Sequence, residues 1–290
     1  MRPRSMKKTA ALLSITLTAS LCAVSWGAFA QHHPDSETKR SAYQGPPWVG
    51  FVADRDARDV LRVASVLKES PASRAGLKPG DVITSIEETP IKSVRDLKLL
   101  LREHASGDSL SLSYTRGEHA HTTTLTLMPT PTQKELVTSQ LMGEPAPDFS
   151  FSPITTKAKA SPKTSKLSNS KGKVTILEFW ATWCKPCEPF KMELSKIAKK
   201  HGDDVHIIAM STESVETLQA AITEEAMPYL VASDASEKIH DAYFVRGIPL
   251  VIILDAEHRV RKVITGEDDA ALVSKSLKGL LLTESTEREK

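Results

Sequence analysis

Two cysteines three positions apart, Cys184 and Cys187, have the type and spacing best suited to chemistry in this sequence. Cysteines at this spacing fit on the first turn of one helix, close enough to form a disulfide. The partial positive charge at a helix N-terminus stabilises a thiolate, and Lys185 adds a neighbouring cation. Pro186 suits a first turn because the N–H that it lacks is not needed there. The pattern predicts that Cys184, at an exposed tip beside free backbone N–H groups, attacks a substrate disulfide and that Cys187 displaces the reduced product.

A zinc site is the alternative interpretation of a Cys-x-x-Cys pair, and it needs two further Cys or His ligands at suitable spacing. The chain has one other cysteine, Cys22, and His201 and His206 follow the motif without such spacing. We therefore interpret the pair as redox-active. We predict no metal, and no cofactor other than the disulfide of Cys184 with Cys187.

The elements that must position this pair alternate between strands and helices. Val174–Leu177 predicts a buried strand that runs into the motif, and two further apolar strands are predicted at Val205–Met210 and Leu250–Leu254. Between and after them, apolar residues recur at helical spacing. This set comprises Phe190, Leu194, Ile197, Val215, Leu218, Ile222, Ile239, Tyr243, Val273, Leu277, Leu280 and Leu281. Alternating strands and helices predict an α/β domain with helices on both faces of a central sheet.

This second half of the chain resembles the thioredoxin superfamily, specifically its exported TlpA/ResA/CcmG type. The match rests on the run Trp-Ala-Thr-Trp-Cys-Lys-Pro-Cys at residues 180–187 and on Gly-Glu-Pro-Ala-Pro-Asp-Phe at residues 143–149. The resemblance implies a thioredoxin-like domain over residues 143–285. It implies that Cys184 is the nucleophile and Cys187 the resolving residue. The residues that would flank this active site are Trp180, Trp183, Lys185 and Pro186.

The same resemblance implies roles for Glu178 and for the loop Gly247-Ile248-Pro249. Glu178 stands where the family keeps a buried acid behind the second cysteine, so it is either a proton acceptor for Cys187 or an outward-facing edge residue. The loop matches the family's cis-proline loop, in which Ile248 would present backbone groups to the substrate chain. The Ile248–Pro249 bond is predicted to be cis, a form open to X–Pro bonds. Leu250 departs from the small polar residue usual there.

The first half of the chain resembles a bacterial, HtrA-like PDZ domain over residues 46–128. The resemblance is carried by Ser-Pro-Ala-Ser-Arg-Ala-Gly-Leu-Lys-Pro-Gly-Asp at residues 70–81 and by a predicted hairpin of residues 109–115 and 121–127. A PDZ domain adds a peptide as an extra β-strand and binds its C-terminal carboxylate. The residues implied are the carboxylate loop Trp48, Val49, Gly50 and Phe51, and the pocket residues Val94, Leu97 and Leu101. The alternative is that these residues are core and the domain is a spacer.

The flanking segments predict export. Residues 1–30 combine a basic start, an apolar run and Ala28-Phe29-Ala30, which is the pattern of a cleaved signal peptide, with an uncleaved membrane anchor as the alternative. Residues 31–45 are a predicted flexible tether and residues 129–142 a predicted linker. Removal of residues 1–30 leaves 34 basic against 36 acidic side chains, so charge gives no reason to expect nucleic-acid binding.

The function predicted from these parts is an exported, periplasmic or extracytoplasmic thiol–disulfide oxidoreductase that reduces client disulfides. Its predicted partners are client proteins, an upstream thiol reductant of the membrane thiol–disulfide transporter type, and a peptide C-terminus at the PDZ domain. One alternative is a PDZ-based adaptor with a secondary redox domain. A peroxiredoxin-type peroxidase would need Pro-x-x-x-Thr-x-x-Cys, and Ala181 occupies the threonine position.

Overall fold

The computed structural model describes residues 45–54, 59–154, 164–170 and 173–288. The predicted signal peptide, residues 31–44 of the predicted tether and Cys22 lie outside these residues. The described chain forms two domains with separate sheets and separate apolar cores. The predicted combination of a mainly β domain followed by an α/β domain is confirmed.

The first domain is built on a twisted antiparallel sheet. Its strands are β1 (Pro47–Trp48), β2 (Phe51–Ala53), β3 (Leu61–Val66), β4 (Val82–Ile86), β5 (Thr89–Pro90), β6 (Ser109–Arg116), β7 (His119–Thr126) and β8 (Met128–Pro129). Its helices are α1 (Pro71–Arg74) and α2 (Val94–Leu101). The main sheet has the order β2-β3-β4-β6-β7, so β2 is an edge strand. β1 pairs with β8 and joins the two ends of the domain.

Local sequence explains where both helices begin. The Ser70 side chain accepts a hydrogen bond from the Ser73 N–H at the start of α1, and the Ser93 side chain accepts from the Asp96 N–H at the start of α2. Serine is favoured at this position because its oxygen satisfies an N–H that has no partner within the helix. The predicted hairpin is β6–β7, paired from Ser109 with Thr126 to Arg116 with His119.

The second domain has a central sheet of five strands in the order β13-β12-β11-β14-β15. The strands are β9 (Ser150–Phe151), β10 (Ser165–Lys166), β11 (Val174–Phe179), β12 (Val205–Ser211), β13 (Leu230–Ser233), β14 (Leu250–Leu254) and β15 (Val260–Thr265). The helices are α4 (Glu188–His201), α5 (Val215–Glu225), α6 (Lys238–Ala242) and α7 (Ala271–Arg288). β11 is the central strand, parallel to β12 and antiparallel to β14.

Side chains of the central strand alternate between two cores. Leu177 packs on one face with residues of α6, whereas Ile176 packs on the other face with residues of α4 and α7. Successive residues of a strand point to opposite faces, and a strand covered on both sides is therefore apolar throughout. Helices cover both faces of the sheet, as the sequence predicts.

The predicted linker contains a helix, α3 (Gln133–Leu141), which packs against β15. Thr132 and Glu135 form a reciprocal capping box that starts it, and Val137 and Leu141 are buried in the core of the second domain. The Pro and Thr-Pro steps that suggested an extended linker end at residue 132. From there a capped helix with an apolar side is stable once it is packed.

Candidate active site

Cys184 and Cys187 are joined by a disulfide at the point where β11 leads into α4. Lys185–Cys187 forms a 3₁₀ turn that continues directly into α4, with Pro186 inside the turn. Pro186 fits because the turn begins there and needs no N–H from it. The prediction that both cysteines lie on the first turn of one helical segment is confirmed.

Two details of the predicted environment of Cys184 are wrong. Cys184 is only 3% exposed, because the disulfide folds it onto Cys187 in an apolar cluster with Trp180 and Ala181. The backbone N–H groups of Cys184, Lys185 and Cys187 are not free. They donate to backbone carbonyls two or three residues earlier in the chain, those of Ala181, Trp183 and Cys184.

Glu178 lies behind the disulfide with no solvent exposure. It pairs across the sheet with Ala209, which in turn pairs with Val231, so the three side chains point to the same face. Ala209 and Val231 belong to the cluster that holds Cys184 and Cys187, which places the Glu178 carboxyl on the same side of the sheet as the disulfide. The alternative of an outward-facing edge residue is excluded, because β11 is the central strand.

The Glu178 carboxyl has no hydrogen-bond partner among the described residues. Burial raises its pKa to about 8, which the nearby Lys191 opposes and the acids Glu188 and Glu225 reinforce. A buried carboxyl without partners favours its neutral form, since ionisation would place an unsolvated charge in the core. Glu178 therefore holds a proton at neutral pH and can exchange it near pH 8.

Lys191 is the buried cation of this region. Its side chain is 5% exposed and its Nζ lies 2.6 Å from Glu188 Oε1, 2.8 Å from Glu225 Oε2 and 5.2 Å from the centre of the Trp180 ring. Burial, which lowers the pKa of Lys191, is outweighed by the hydrogen bonds to Glu188 and Glu225, which raise it. Lys191 therefore stays charged and ties α4 to the end of α5 over Trp180.

Glu213 holds the loop that precedes Cys184. The Thr182 N–H and hydroxyl donate to the two oxygens of the Glu213 carboxylate at 2.7 and 2.6 Å, and the Ser211 hydroxyl donates to it at 3.1 Å. Hydrogen bonds to a carboxylate are roughly twice as strong as neutral ones. Thr182 is two residues before Cys184, so this contact positions the entry to the redox pair.

The predicted cis-proline loop lies beside the redox motif. The Ile248–Pro249 bond is cis, as predicted. Ile248 packs against the cluster of the disulfide, and Pro186, Ile248 and Pro249 line one cleft of about 300 Å³. Gly266, the residue after β15, packs closely against Pro249. A Cβ at this glycine would lie 2.9 Å from Pro249 Cδ.

The residues that flank the pair differ in exposure. Trp183 is 72% exposed and Lys185 and Pro186 are also exposed, whereas Trp180 is 1% exposed. An exposed tryptophan next to a reactive cysteine offers a large apolar contact surface. Trp183 therefore presents apolar surface to solvent, whereas Trp180 packs in the apolar cluster of the two cysteines.

The residues predicted for a peptide groove in the first domain lie on β1, β2 and α2 and between β1 and β2. β2 pairs only with β3 within the described part of the chain, so its other edge can accept an added strand. Val94 on α2 is 42% exposed, Leu97 is 6% exposed in the core, and Leu101 is partly buried against that core. Of the three, Val94 presents an open apolar surface.

The carboxylate loop is tightly packed. Val49 is 7% exposed, Trp48 is held in β1, and Phe51 is the first residue of β2. Gly50 has φ +76°, and a Cβ there would lie 2.1 Å from Ser70 Cβ. The sequence suggests that glycine at position 50 leaves room for a ligand carboxylate, but the close approach of Ser70, at the start of α1, means that packing alone requires glycine there.

Sequence reasoning missed Lys191, Glu213 and the part that α3 plays beside the cleft. The spacing of Glu188 and Lys191 could have suggested an ion pair within a helix, but nothing in it indicates burial. Within the described ranges, no group of three or more His, Cys, Asp or Glu side chains is arranged to hold a metal ion. No helix among these residues is both long and apolar enough to cross a membrane.

Both domains are similar to known proteins. Residues 141–281 match the Redoxin family and residues 49–127 match the PDZ domain family. The thiol–disulfide oxidoreductase ResA of Geobacillus thermodenitrificans is 31% identical over 133 residues, 44% of this chain and 72% of that protein. The thioredoxin-like protein YneN of Bacillus subtilis is 30% identical over 127 residues, 43% of this chain and 71% of that protein. The crystal structure of a putative thiol:disulfide interchange protein DsbE from Chlorobium tepidum aligns with a TM-score of 0.44 and 23% sequence identity, over 48% of this chain and 97% of that chain.

Proposed function

The chain belongs to the redoxin family of thiol–disulfide oxidoreductases, and from this membership we propose that it is an exported reductant of client disulfides with a PDZ domain that binds a partner's C-terminus. The observation that carries the proposal is the Cys184–Cys187 disulfide over the buried Glu178 carboxyl. The disulfide itself is the redox centre, and no other cofactor enters the reaction.

The reaction proceeds in two exchanges. The Cys184 thiolate attacks one sulfur of the client disulfide, which breaks the client S–S bond, forms a Cys184–client disulfide and releases one client thiolate. The Cys187 thiolate then attacks Cys184 Sγ, which releases the second client thiol and forms the Cys184–Cys187 disulfide. Two electrons have passed to the client. They are restored by an upstream dithiol, for which a membrane thiol–disulfide transporter is the class that the family resemblance suggests.

Glu178 acts on the second exchange. Cys187 must lose its thiol proton to attack, and an ordinary cysteine has a pKa of about 8.5. Only the ionised form of Glu178 can accept that proton, and the ionised fraction grows as the pH approaches the Glu178 pKa of about 8. An acceptor whose pKa lies near that of the donor transfers protons well in both directions. The pKa of about 8 for Glu178, and its position on the cysteine side of the sheet, support this role.

The redox direction can be measured from the equilibrium of the pair with glutathione. A reductant should have a potential close to that of thioredoxin, about −270 mV, whereas an oxidant such as DsbA lies near about −120 mV. The fraction of disulfide would be read at fixed glutathione ratios. A value near the oxidant end would contradict the proposed direction while leaving the oxidoreductase chemistry in place.

The roles of the two cysteines can be separated by trapping. Cys187→Ser should accumulate mixed disulfides with clients, because attack still occurs but resolution fails. Cys184→Ser should trap none and should abolish turnover. Trapping by Cys184→Ser alone would reverse the assignment.

Peptide binding by the first domain is supported by the edge position of β2 and by two exposed apolar residues, Val52 on β2 and Val94 on α2. A peptide added to an edge strand gains main-chain hydrogen bonds, and apolar side chains next to the edge give it specificity. Binding near the redox domain would raise the local client concentration to about the millimolar range.

Titration of the full chain with C-terminal peptides tests this part of the proposal. Free-acid peptides should bind and their amidated forms should not, because the amide removes the carboxylate. Equal binding of both forms, or none, would leave the domain as a spacer. The adaptor alternative would be favoured if a Cys184→Ser chain kept full activity in cells.

A further inference from the structure

Helix α3 borders the cleft beside the redox motif although it precedes the redoxin match, which begins at residue 141. Gln133 and Lys134, on its first turn, line the cleft together with Pro186, Ile248 and Pro249. The wall that faces the cis-proline loop is thus supplied by the segment that connects the two domains.

The first turn of α3 is fixed to both sides of the cleft. Gln133 Nε2 donates to the Phe244 carbonyl at 2.9 Å, and the Arg246 N–H donates to Gln133 Oε1 at 2.8 Å, directly before the cis-proline loop. Lys134 Nζ lies 2.6 Å from Asp268 Oδ1 at the end of β15. Both amide atoms of Gln133 are therefore occupied by the protein itself.

The ammonium group of Lys134 has N–H donors that its contact with Asp268 does not use, and these are available to a ligand. Its side chain is 41% exposed, and Asp268 is its one partner among the described residues. An ammonium group has three donors. The remaining donors stand at a cleft that Pro186, Ile248 and Pro249 line with apolar surface, and its polar lining also includes Thr265 and Glu267. Beside the apolar surface, a hydrogen bond to a carbonyl or carboxylate is less exposed to competition from water.

The far end of α3 is anchored to the first domain. The Lys68 N–H donates to Gln140 Oε1 at 2.9 Å, and Gln140 Nε2 donates to the Lys68 carbonyl at 3.3 Å. The position of Lys134 relative to the cleft is therefore set from both domains, which a flexible linker would not achieve.

We propose that the first turn of α3 is a client-recognition element, in which Lys134 donates to carbonyl or carboxylate groups of the extended client segment beside its reacting cysteine. This inference rests on the proposed function, since it assigns the client's binding site. It predicts that selection among clients depends on residues outside the redoxin domain.

The test compares two activated disulfides with the same chemistry. One is a cysteine peptide with several residues on each side, linked to 2-thiopyridine, and the other is N-acetylcysteine amide linked in the same way. Attack of the Cys184 thiolate on the cysteine sulfur forms the mixed disulfide and releases thiopyridone with the electron pair, so its absorbance reports the rate. The variant is Lys134→Met in the reduced full chain, and the control is Lys238→Met, an exposed lysine outside the cleft.

Lys134→Met should lower the rate constant for the long peptide by about tenfold, the scale of one lost hydrogen bond to a charged group. The rate for N-acetylcysteine amide should stay within about twofold, and Lys238→Met should change neither. An unchanged rate for the long peptide, or an equal loss for both compounds, overturns the inference. A wild-type chain that reacts with neither compound overturns the proposed function, and the inference with it.

Discussion

Glu178 combines complete burial, no hydrogen-bond partner among the described residues and a position on the cysteine side of the central strand. Its pKa of about 8 lies well above the ordinary value of 4.5. The folded chain therefore holds this proton more tightly than the unfolded chain does. Such a group stabilises the folded chain at pH values below the pKa that it has in the unfolded chain. This stabilisation is lost as the pH rises through the pKa that the group has in the folded chain.

Glu178→Gln should remove a pH dependence from the stability of the oxidised protein. Between pH 4.5 and about 8 the wild type should lose up to about 1.4 kcal/mol of unfolding free energy per pH unit from this group, roughly 5 kcal/mol in all. The glutamine variant keeps the shape and cannot ionise. Urea unfolding of both proteins from pH 4 to 9 should show a difference that grows in favour of the variant.

If the difference in unfolding free energy between the two proteins did not change with pH, the pKa of Glu178 would be that of an ordinary surface acid. Glu216→Gln is the control, since Glu216 is exposed at the start of α5. This control should show no growing difference over the same range. The same Glu178→Gln variant should resolve mixed disulfides more slowly if Glu178 is the acceptor for the Cys187 proton.

Lys191 is the charge that opposes the high pKa of Glu178. Lys191→Met keeps the packing of the stem over Trp180 and removes the cation, so the Glu178 pKa should rise further above 8. The carboxyl carbon shift of Glu178, followed by NMR titration, measures this directly. Lys196→Met on the same helix is the control, because Lys196 is 69% exposed and pairs with Glu193 alone among the described residues. A Glu178 pKa that falls in Lys191→Met contradicts the assignment.

The elements around the redox pair are held by contacts between distant segments. The loop before Cys184 is bound by Glu213, which follows β12, and the turn of Pro186 faces the loop before β14 across the cleft. Three loops therefore meet around the Cys-x-x-Cys turn at one end of the sheet. They are the loop before Cys184, the loop after β12 and the loop before β14. Loops at strand ends commonly carry the functional residues of such a domain because a rigid sheet positions them.

Glu213→Gln should loosen the loop before Cys184. The amide keeps one oxygen, but its NH₂ group faces donors on Thr182 or Ser211, so at least one hydrogen bond to a charged acceptor is lost, at about 1.5–3 kcal/mol. Hydrogen exchange at the Thr182 N–H should become faster by a corresponding factor. Exchange in the sheet, at Leu177 for example, should not change, and equal acceleration at both sites would indicate global unfolding instead.

At the scale of the whole molecule, the two domains have separate cores joined through α3. Lys68, which follows β3 by two residues, contacts Gln140 and also forms an ion pair with Glu144 at 2.7 Å. The preceding residue, Leu67, donates its N–H to the Gly50 carbonyl in the predicted carboxylate loop. The contact between domains is therefore adjacent to the predicted peptide site.

Gly50→Ala should destabilise the first domain and leave the second folded. The new Cβ would lie 2.1 Å from Ser70 Cβ, far inside the ordinary carbon contact distance of about 3.5–4.0 Å. Gly76→Ala is the matched control, because it has a similar φ of +77° and open space, so it carries only the left-handed backbone cost of about 1–2 kcal/mol. Thermal unfolding should show an early transition for Gly50→Ala alone, with the reaction of the redox pair retained.

Loss of the redox reaction together with the first transition would contradict the independence of the two cores. A Gly50→Ala protein as stable as Gly76→Ala would show that the loop moves away from α1. The second result would also change the interpretation of peptide binding, since the loop Trp48–Phe51 would then be mobile.

Sequence alone was sufficient for the features that depend on neighbouring residues. The pairing of Cys184 with Cys187 and the cis bond before Pro249 each lie within a short contiguous motif. The two domain families are likewise carried by local runs. Short motifs are informative because backbone conformation and first-turn contacts are set by residues close in the chain.

Only the tertiary structure decided burial and long-range contacts. Lys191 and Glu213 are ordinary charged residues in the sequence, and their partners Glu225 and Thr182 lie 34 and 31 positions away. The exposure of Cys184 was predicted wrongly because it depends on how the disulfide packs with Trp180 and Ala181. The position of helix α3 beside the cleft depends on hydrogen bonds to Phe244 and Asp268, which lie more than a hundred positions further along the chain. Such contacts depend on how the sheet brings distant loops together, which residue types and local spacing do not specify.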